Sequence, residues 1–192
     1  MWRQALIIEK TSAAIMKTIA CLAYFLFCSN VFAHDLVVGQ PAPSYQITTL
    51  DGEKRISSEE RQDKVTLINF WALWCGPCKE EMPLLESFYQ KHRSENFEII
   101  AISMDDAKKL EEVKAYANQF SFSVAHKSHV DLKGFQKLWR LPSTFVIDKE
   151  GLLRKNGHVG DAVLTRDELD RLVLPLLSKP SLKSSREHPP TQ

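Results

Sequence analysis

Val65-Thr66-Leu67-Ile68-Asn69-Phe70-Trp71-Ala72 is a nearly continuous apolar run, and three residues past its end begins Cys75-Gly76-Pro77-Cys78. A run of this kind reads as a strand buried on both faces. Helical periodicity follows from Gly76 to His92, so the two thiols stand where a central strand hands over to a helix. At a helix start the free main-chain N–H groups and the positive end of the dipole favour an anion, which stabilises a Cys75 thiolate. Cys78, one turn on, can reach a mixed disulfide formed on Cys75. Pro77 suits the first turn, where its missing N–H costs little. Cys75 is therefore expected to attack and Cys78 to resolve.

The other two cysteines do not compete for this role. From Met16 the chain reads Lys17-Thr18, an apolar stretch Ile19 to Phe27, and Val31-Phe32-Ala33. A basic start, a short apolar region and a small-residue site form the layout of a secretory signal peptide, with cleavage expected after Ala33. Glu9 is out of place in a basic leader, so Met16 is read as the start. Left uncleaved, the same stretch would tether the protein to the membrane. Cleavage removes Cys21 and Cys28, leaving Cys75 and Cys78 as the sole pair in an exported chain, where a disulfide framework is ruled out. A zinc site needs four ligands and finds no second cysteine pair. His126 and His129 are expected to face solvent in a loop, as are His92 and His158 on the surface. Removing residues 1–33 shifts the formal charge from +1 to near −1, which offers nothing to nucleic acid.

Three regions are expected: the signal peptide at 1–33, one domain at 34–178, and a proline-rich disordered tail at 179–192. Within the domain, Tyr45, Ile47 and Thr49 alternate ahead of Asp51-Gly52, then Lys54-Arg55-Ile56 resumes, giving a β-hairpin. Ser57 to Glu60 starts a helical turn. A second buried strand spans Phe97 to Ser103, and helical spacing recurs over Lys108 to Phe120. A short Phe122 to Ala125 segment leads to a further helix, Leu132 to Trp139. The strand Ser143 to Ile147 turns at Lys149-Glu150-Gly151 into a hairpin partner, Leu152 to Val159, before a closing helix, Thr165 to Leu177. Crossover helices imply parallel central strands; the late hairpin implies an antiparallel edge.

Glu81 stands out by geometry. At about 100° per residue it falls inside the arc of Cys78, Met82, Leu85 and Phe88, whereas Glu80 falls on the opposite face. A carboxyl so placed is partly desolvated, its pKa is raised, and it can take and return the Cys78 proton. Trp71 is expected to support the core and Trp74 to cover the pair and touch substrates.

The stretch Asn69 to Cys78 with Lys79-Glu80-Glu81-Met82-Pro83, the opening Gly39-Gln40-Pro41-Ala42-Pro43 and the later Leu141-Pro142-Ser143-Thr144-Phe145-Val146-Ile147-Asp148-Lys149-Glu150-Gly151 resemble the TlpA/ResA family of exported thioredoxin-like proteins. The resemblance covers Gly39 to Leu177. It implies a thioredoxin-like α/β fold, a central mixed sheet flanked by helices, with the N-terminal hairpin and a family-type helical insertion. It also implies that Pro142 is a cis proline facing the cysteines, with the Leu141 backbone pairing with an incoming peptide, and that Trp74, Gly76 and Pro77 line the substrate site. A glutamate three residues after the second cysteine is typical of the family. Asn69 occupies the strand position where cytoplasmic thioredoxins carry a buried aspartate; an amide moves no proton at neutral pH, which leaves that task to Glu81. The likeness stops short of the dedicated cytochrome-maturation branch, whose Gly-Val-x-Gly-x-Pro-Glu-Thr stretch is replaced by Trp139-Arg140-Leu141-Pro142-Ser143-Thr144.

The expected activity is thiol–disulfide exchange by the Cys75–Cys78 disulfide, with no dissociable cofactor and no metal. An anionic Glu81 disfavours the reduced thiolates, and each pKa unit is worth about 1.4 kcal/mol, or about 30 mV for this couple. This points to a reductant of protein disulfides in the periplasm or at the outer face of the membrane. Its partners would be disulfide-bearing client proteins and a membrane electron donor. An oxidase or isomerase of exported proteins, and a copper module using the same thiols, fit the same residues.

Overall fold

A computed structural model describes residues 36–61 and 63–180. The expected signal peptide, and the tail beyond Pro180, lie outside the described residues. Seven strands form one mixed sheet: β1 (Gln46–Thr49), β2 (Arg55–Ser57), β3 (Val65–Trp71), β4 (Phe97–Ser103), β5 (Ser123–Asp131), β6 (Ser143–Ile147) and β7 (Leu153–Lys155), in the order β2-β1-β5-β4-β3-β6-β7. The central strands β3, β4 and β5 are parallel, and β6 and β7 add an antiparallel edge. Among the described residues, three α-helices complete the fold: α1 (Gly76–His92), α2 (Leu110–Ala117) and α3 (Arg166–Leu177). Among the described residues, no helix is long and apolar enough to cross a membrane.

Alternation along β3 divides the core. Val65, Leu67 and Trp71 point to one face, where Met82, Leu85 and Phe88 of α1, Val113 of α2 and Leu169 and Val173 of α3 bury them. Ile68 and Phe70 point to the other, under Tyr45, Ile47, Phe135 and Phe145. The strand is buried on both faces, as its apolar run requires.

Several local expectations give way to tertiary contacts. Leu132 to Trp139 is not a helix; it holds a single 3-10 turn at Lys133–Phe135. Gly134 lies so close to Pro43 that a Cβ there would overlap the proline ring, and Gln136 turns out of helical space at φ 62°. Phe135 is instead driven edge-on against Phe145 and Tyr45. The α-helix expected over Lys108 to Phe120 is shortened to α2, with a 3-10 turn at Ala107–Lys109 ahead of it. β5 outruns its expected four residues because it pairs with both β4 and β1. That extension corrects His126, which is not in a solvent-facing loop: it is 1% exposed, with Nε2 bonded to Asp105 O at 2.9 Å. His92 is likewise buried, its ring on Phe88 and its Nδ1 on Glu95, and His158 is half-buried against Phe145.

β7 stops at Lys155, short of the expected Val159, because Asn156 begins a turn. Within that turn the Gly157 carbonyl accepts from Ser143 Oγ at 2.9 Å and from Arg140 Nη2 at 3.0 Å. A Cβ on Gly157 would stand 2.5 Å from Ser143 Oγ and 2.9 Å from Thr144 N. Gly157→Ala should therefore cost about 1–3 kcal/mol through overpacking, read as a lower urea midpoint with an unchanged slope.

Candidate active site

The handover from β3 to α1 builds the site. Cys75 is the N-cap of α1 with extended backbone, and its sulfur accepts from Cys78 N at 3.3 Å. Pro77 lies in the first helical turn, where no intrahelical acceptor awaits its nitrogen. Cys75 and Cys78 form a disulfide. Cys78 is fully buried and Cys75 retains 5% of its surface, so an incoming sulfur can approach only Cys75. Trp74 is largely exposed beside it, while Trp71 is fully buried with its ring on Tyr116.

One turn along α1 from Cys78 lies Glu81, 2% exposed. Asn69 Nδ2 donates to its Oε2 at 2.9 Å, and the main-chain N–H of Leu164 donates to its Oε1 at 2.6 Å. Burial pushes the carboxyl up to about 7, against the opposing pull of those two donors and of Lys155; Glu168 pushes weakly the same way as burial. Lys155 and Glu168 are themselves paired at 3.2 Å. Asn69 also donates to Thr144 Oγ1 at 2.9 Å, across the register that sets Asn69 beside Thr144. Its own Oδ1 is buried without a partner.

Leu141 and Pro142 lead into β6, and the peptide bond between them is cis. The pairing of Phe70 with Ser143 brings Pro142 to the end of β3 from which the cysteine loop departs. On the other side that loop is held by Asp105, whose Oδ2 accepts from Leu73 N and Ser103 Oγ, both at 2.9 Å. Cys75, Gly76, Pro77, Cys78, Glu81, Leu141 and Pro142 thus all lie at one end of the sheet. Asp105, Leu164, Lys155 and Glu168 escape a sequence reading, since none belongs to a motif and Leu164 contributes only main chain; Thr144 lies in the stretch 141–151, but its bond to Asn69 is not legible there. Among the described residues, no group of three or more His, Cys, Asp or Glu side chains could hold a metal ion.

A dithiol at a helix N-cap with one partly exposed sulfur is suited to thiol–disulfide exchange. Comparison with known proteins points the same way. The AhpC/TSA family model matches residues 38–156. Thioredoxin-like protein YneN of Bacillus subtilis is 33% identical over 137 residues, spanning 69% of this chain and 76% of that protein. Thiol-disulfide oxidoreductase ResA of Oceanobacillus iheyensis is 28% identical over 165 residues, 83% of each chain. A thioredoxin-family thiol:disulfide interchange protein from Chlorobium tepidum superimposes with a TM-score of 0.62 at 26% identity, covering 76% of this chain and 100% of the other. The chain therefore belongs to the AhpC/TSA family and is a ResA-like thiol–disulfide oxidoreductase of the thioredoxin fold.

Proposed function

We propose that the chain is an exported reductant of protein disulfides. The observation that carries this reading is Glu81, a carboxyl buried one turn from Cys78 and held by two donors. In the reduced protein the Cys75 thiolate attacks one sulfur of a client disulfide, forming a mixed disulfide and releasing the other client sulfur as thiolate. Ionised Glu81 takes the Cys78 proton, and the Cys78 thiolate attacks Cys75 and expels the client. Two electrons pass to the client, the pair closes to the disulfide, and the proton held on Glu81 is available to the departing thiolate. The Leu141 backbone pairs with the client, flanked by Trp74, Gly76, Pro77 and Pro142.

The return half requires a donor dithiol. An apolar leader at residues 1–33, cleaved or retained as an anchor, supports an extracytoplasmic site and a membrane protein as that donor. The direction follows from charge: an anionic Glu81 near the pair raises the energy of the thiolates and so lowers the potential. The test is the reduction potential, read from tryptophan fluorescence in dithiothreitol buffers. A value below about −200 mV is expected, and one near about −120 mV would overturn the reductant reading in favour of an oxidant.

A further inference from the structure

Three loops open at the disulfide end of the sheet: that joining β3 to α1, that leading into β6 and that leaving β7. They share this pole because β6 runs antiparallel to β3, and β7 antiparallel to β6. Among the described residues, six large apolar side chains are exposed, and Trp74, Trp139, Val159 and Val163 stand on these loops. The other two, Val37 and Val38, follow Leu36, whose carbonyl accepts from Asn156 Nδ2 just past β7. Exposed apolar surface is therefore gathered at the disulfide end of the sheet.

Trp139 differs from the rest in being held while exposed. The Arg140 guanidinium lies over its indole, 4.8 Å from the centroid. That guanidinium is itself fixed, donating from Nε and Nη2 to the Gly157 carbonyl at 3.3 and 3.0 Å. Yet the residue is 68% exposed. A cation over one face restrains the ring and leaves the other face open. Contact with that face then costs little side-chain entropy, and large rigid aromatic side chains are the usual anchors of recognition. Its position three residues before Pro142 places this anchor on the loop that enters β6 at the disulfide end of the sheet.

We infer that Trp139 is the specificity-determining contact of the oxidoreductase, selecting client polypeptides with an apolar or aromatic side chain within a few residues of the attacked cysteine. The inference takes from the proposed function only that the client is a polypeptide disulfide. It is tested in the full chain carrying Cys78→Ser, where capture of a client on Cys75 can be timed by mass. The probes are two peptide disulfides, alike except for leucine or serine beside each cysteine, and hydroxyethyl disulfide. The leucine peptide should be captured about tenfold faster than the serine peptide. Adding Trp139→Ala should bring that ratio near one, and Trp139→Phe should restore most of it.

A ratio near one in the starting chain, or a ratio unmoved by Trp139→Ala, overturns the inference. So does equal slowing of both peptides and hydroxyethyl disulfide, which would mark a structural role. Loss of self-association, or of binding to phosphatidylglycerol vesicles, with the ratio unmoved would assign the indole to a second copy or a lipid surface and equally defeat it. Capture at Cys75 proceeds whichever way the enzyme runs in the cell. The potential therefore decides the reductant reading, and this experiment decides Trp139.

Discussion

Cys75→Ser should reduce turnover of a protein disulfide such as insulin to the uncatalysed rate, while Cys78→Ser should stop the cycle one step later with the client still attached. The difference follows from exposure and capping. Cys75 alone offers surface to an incoming sulfur, and it alone receives the Cys78 main-chain N–H at the start of α1. A serine hydroxyl at the cap keeps that hydrogen bond but supplies no thiolate at neutral pH. With Cys78→Ser the first exchange proceeds, because the backbone donor and the helix dipole remain. The resolving sulfur is gone, so one client should accumulate per chain, visible as a reductant-sensitive mass shift. A Cys75→Ser chain that captured clients while Cys78→Ser captured none would reverse the two roles.

What could be read from sequence was local, and what could not was long-range. The bounds of α1, β4 and β6 match expectation because apolar runs and periodicity lie within those segments. Leu132 to Trp139 carries a comparable pattern, yet Pro43 against Gly134 and the seating of Phe135 on Phe145 decide its shape from outside. The candidate site divides the same way. Burial of Glu81 is legible because Cys78, Met82, Leu85 and Phe88 share its helix. The groups that hold its oxygens are not, since Asn69 is 12 residues away and Leu164 is 83. The fold of α1 back onto β3 brings Asn69 to it, and the loop leaving β7 brings Leu164. His126 is hidden from sequence for a related reason: a histidine close to another looks polar, and nothing nearby announces that β5 continues through it to pair with β1.

Glu81→Gln should have the second largest effect, and it separates stability from catalysis. The folded carboxyl titrates at about 7, against an ordinary 4.5. Between those two pH values the folded chain holds a proton that the unfolded chain has released, so stability falls as pH rises through this window and levels off above it. The shift corresponds to about 3 kcal/mol in the oxidised protein. Lys155 and Glu168 also face the carboxyl, but neither is removed by the substitution. Glutamine can be accommodated: rotating the Asn69 amide brings its unpartnered Oδ1 toward the new Nε2 and Thr144 Oγ1, leaving the Asn69 amine where that oxygen stood. The loss of stability between pH 5 and pH 8, measured by urea unfolding, should then be largely absent in the variant. Catalysis should move the other way. In the native chain the resolving step needs ionised Glu81, so its rate should climb through about pH 7. Without that base it should slow about 100-fold at neutral pH and climb only where Cys78 ionises unaided. Stopped-flow tryptophan fluorescence between pH 5 and 10 distinguishes the two profiles. If the variant keeps the native pH–rate curve while losing the pH dependence of stability, Glu81 is a buried structural acid, and the proton of Cys78 leaves by another route.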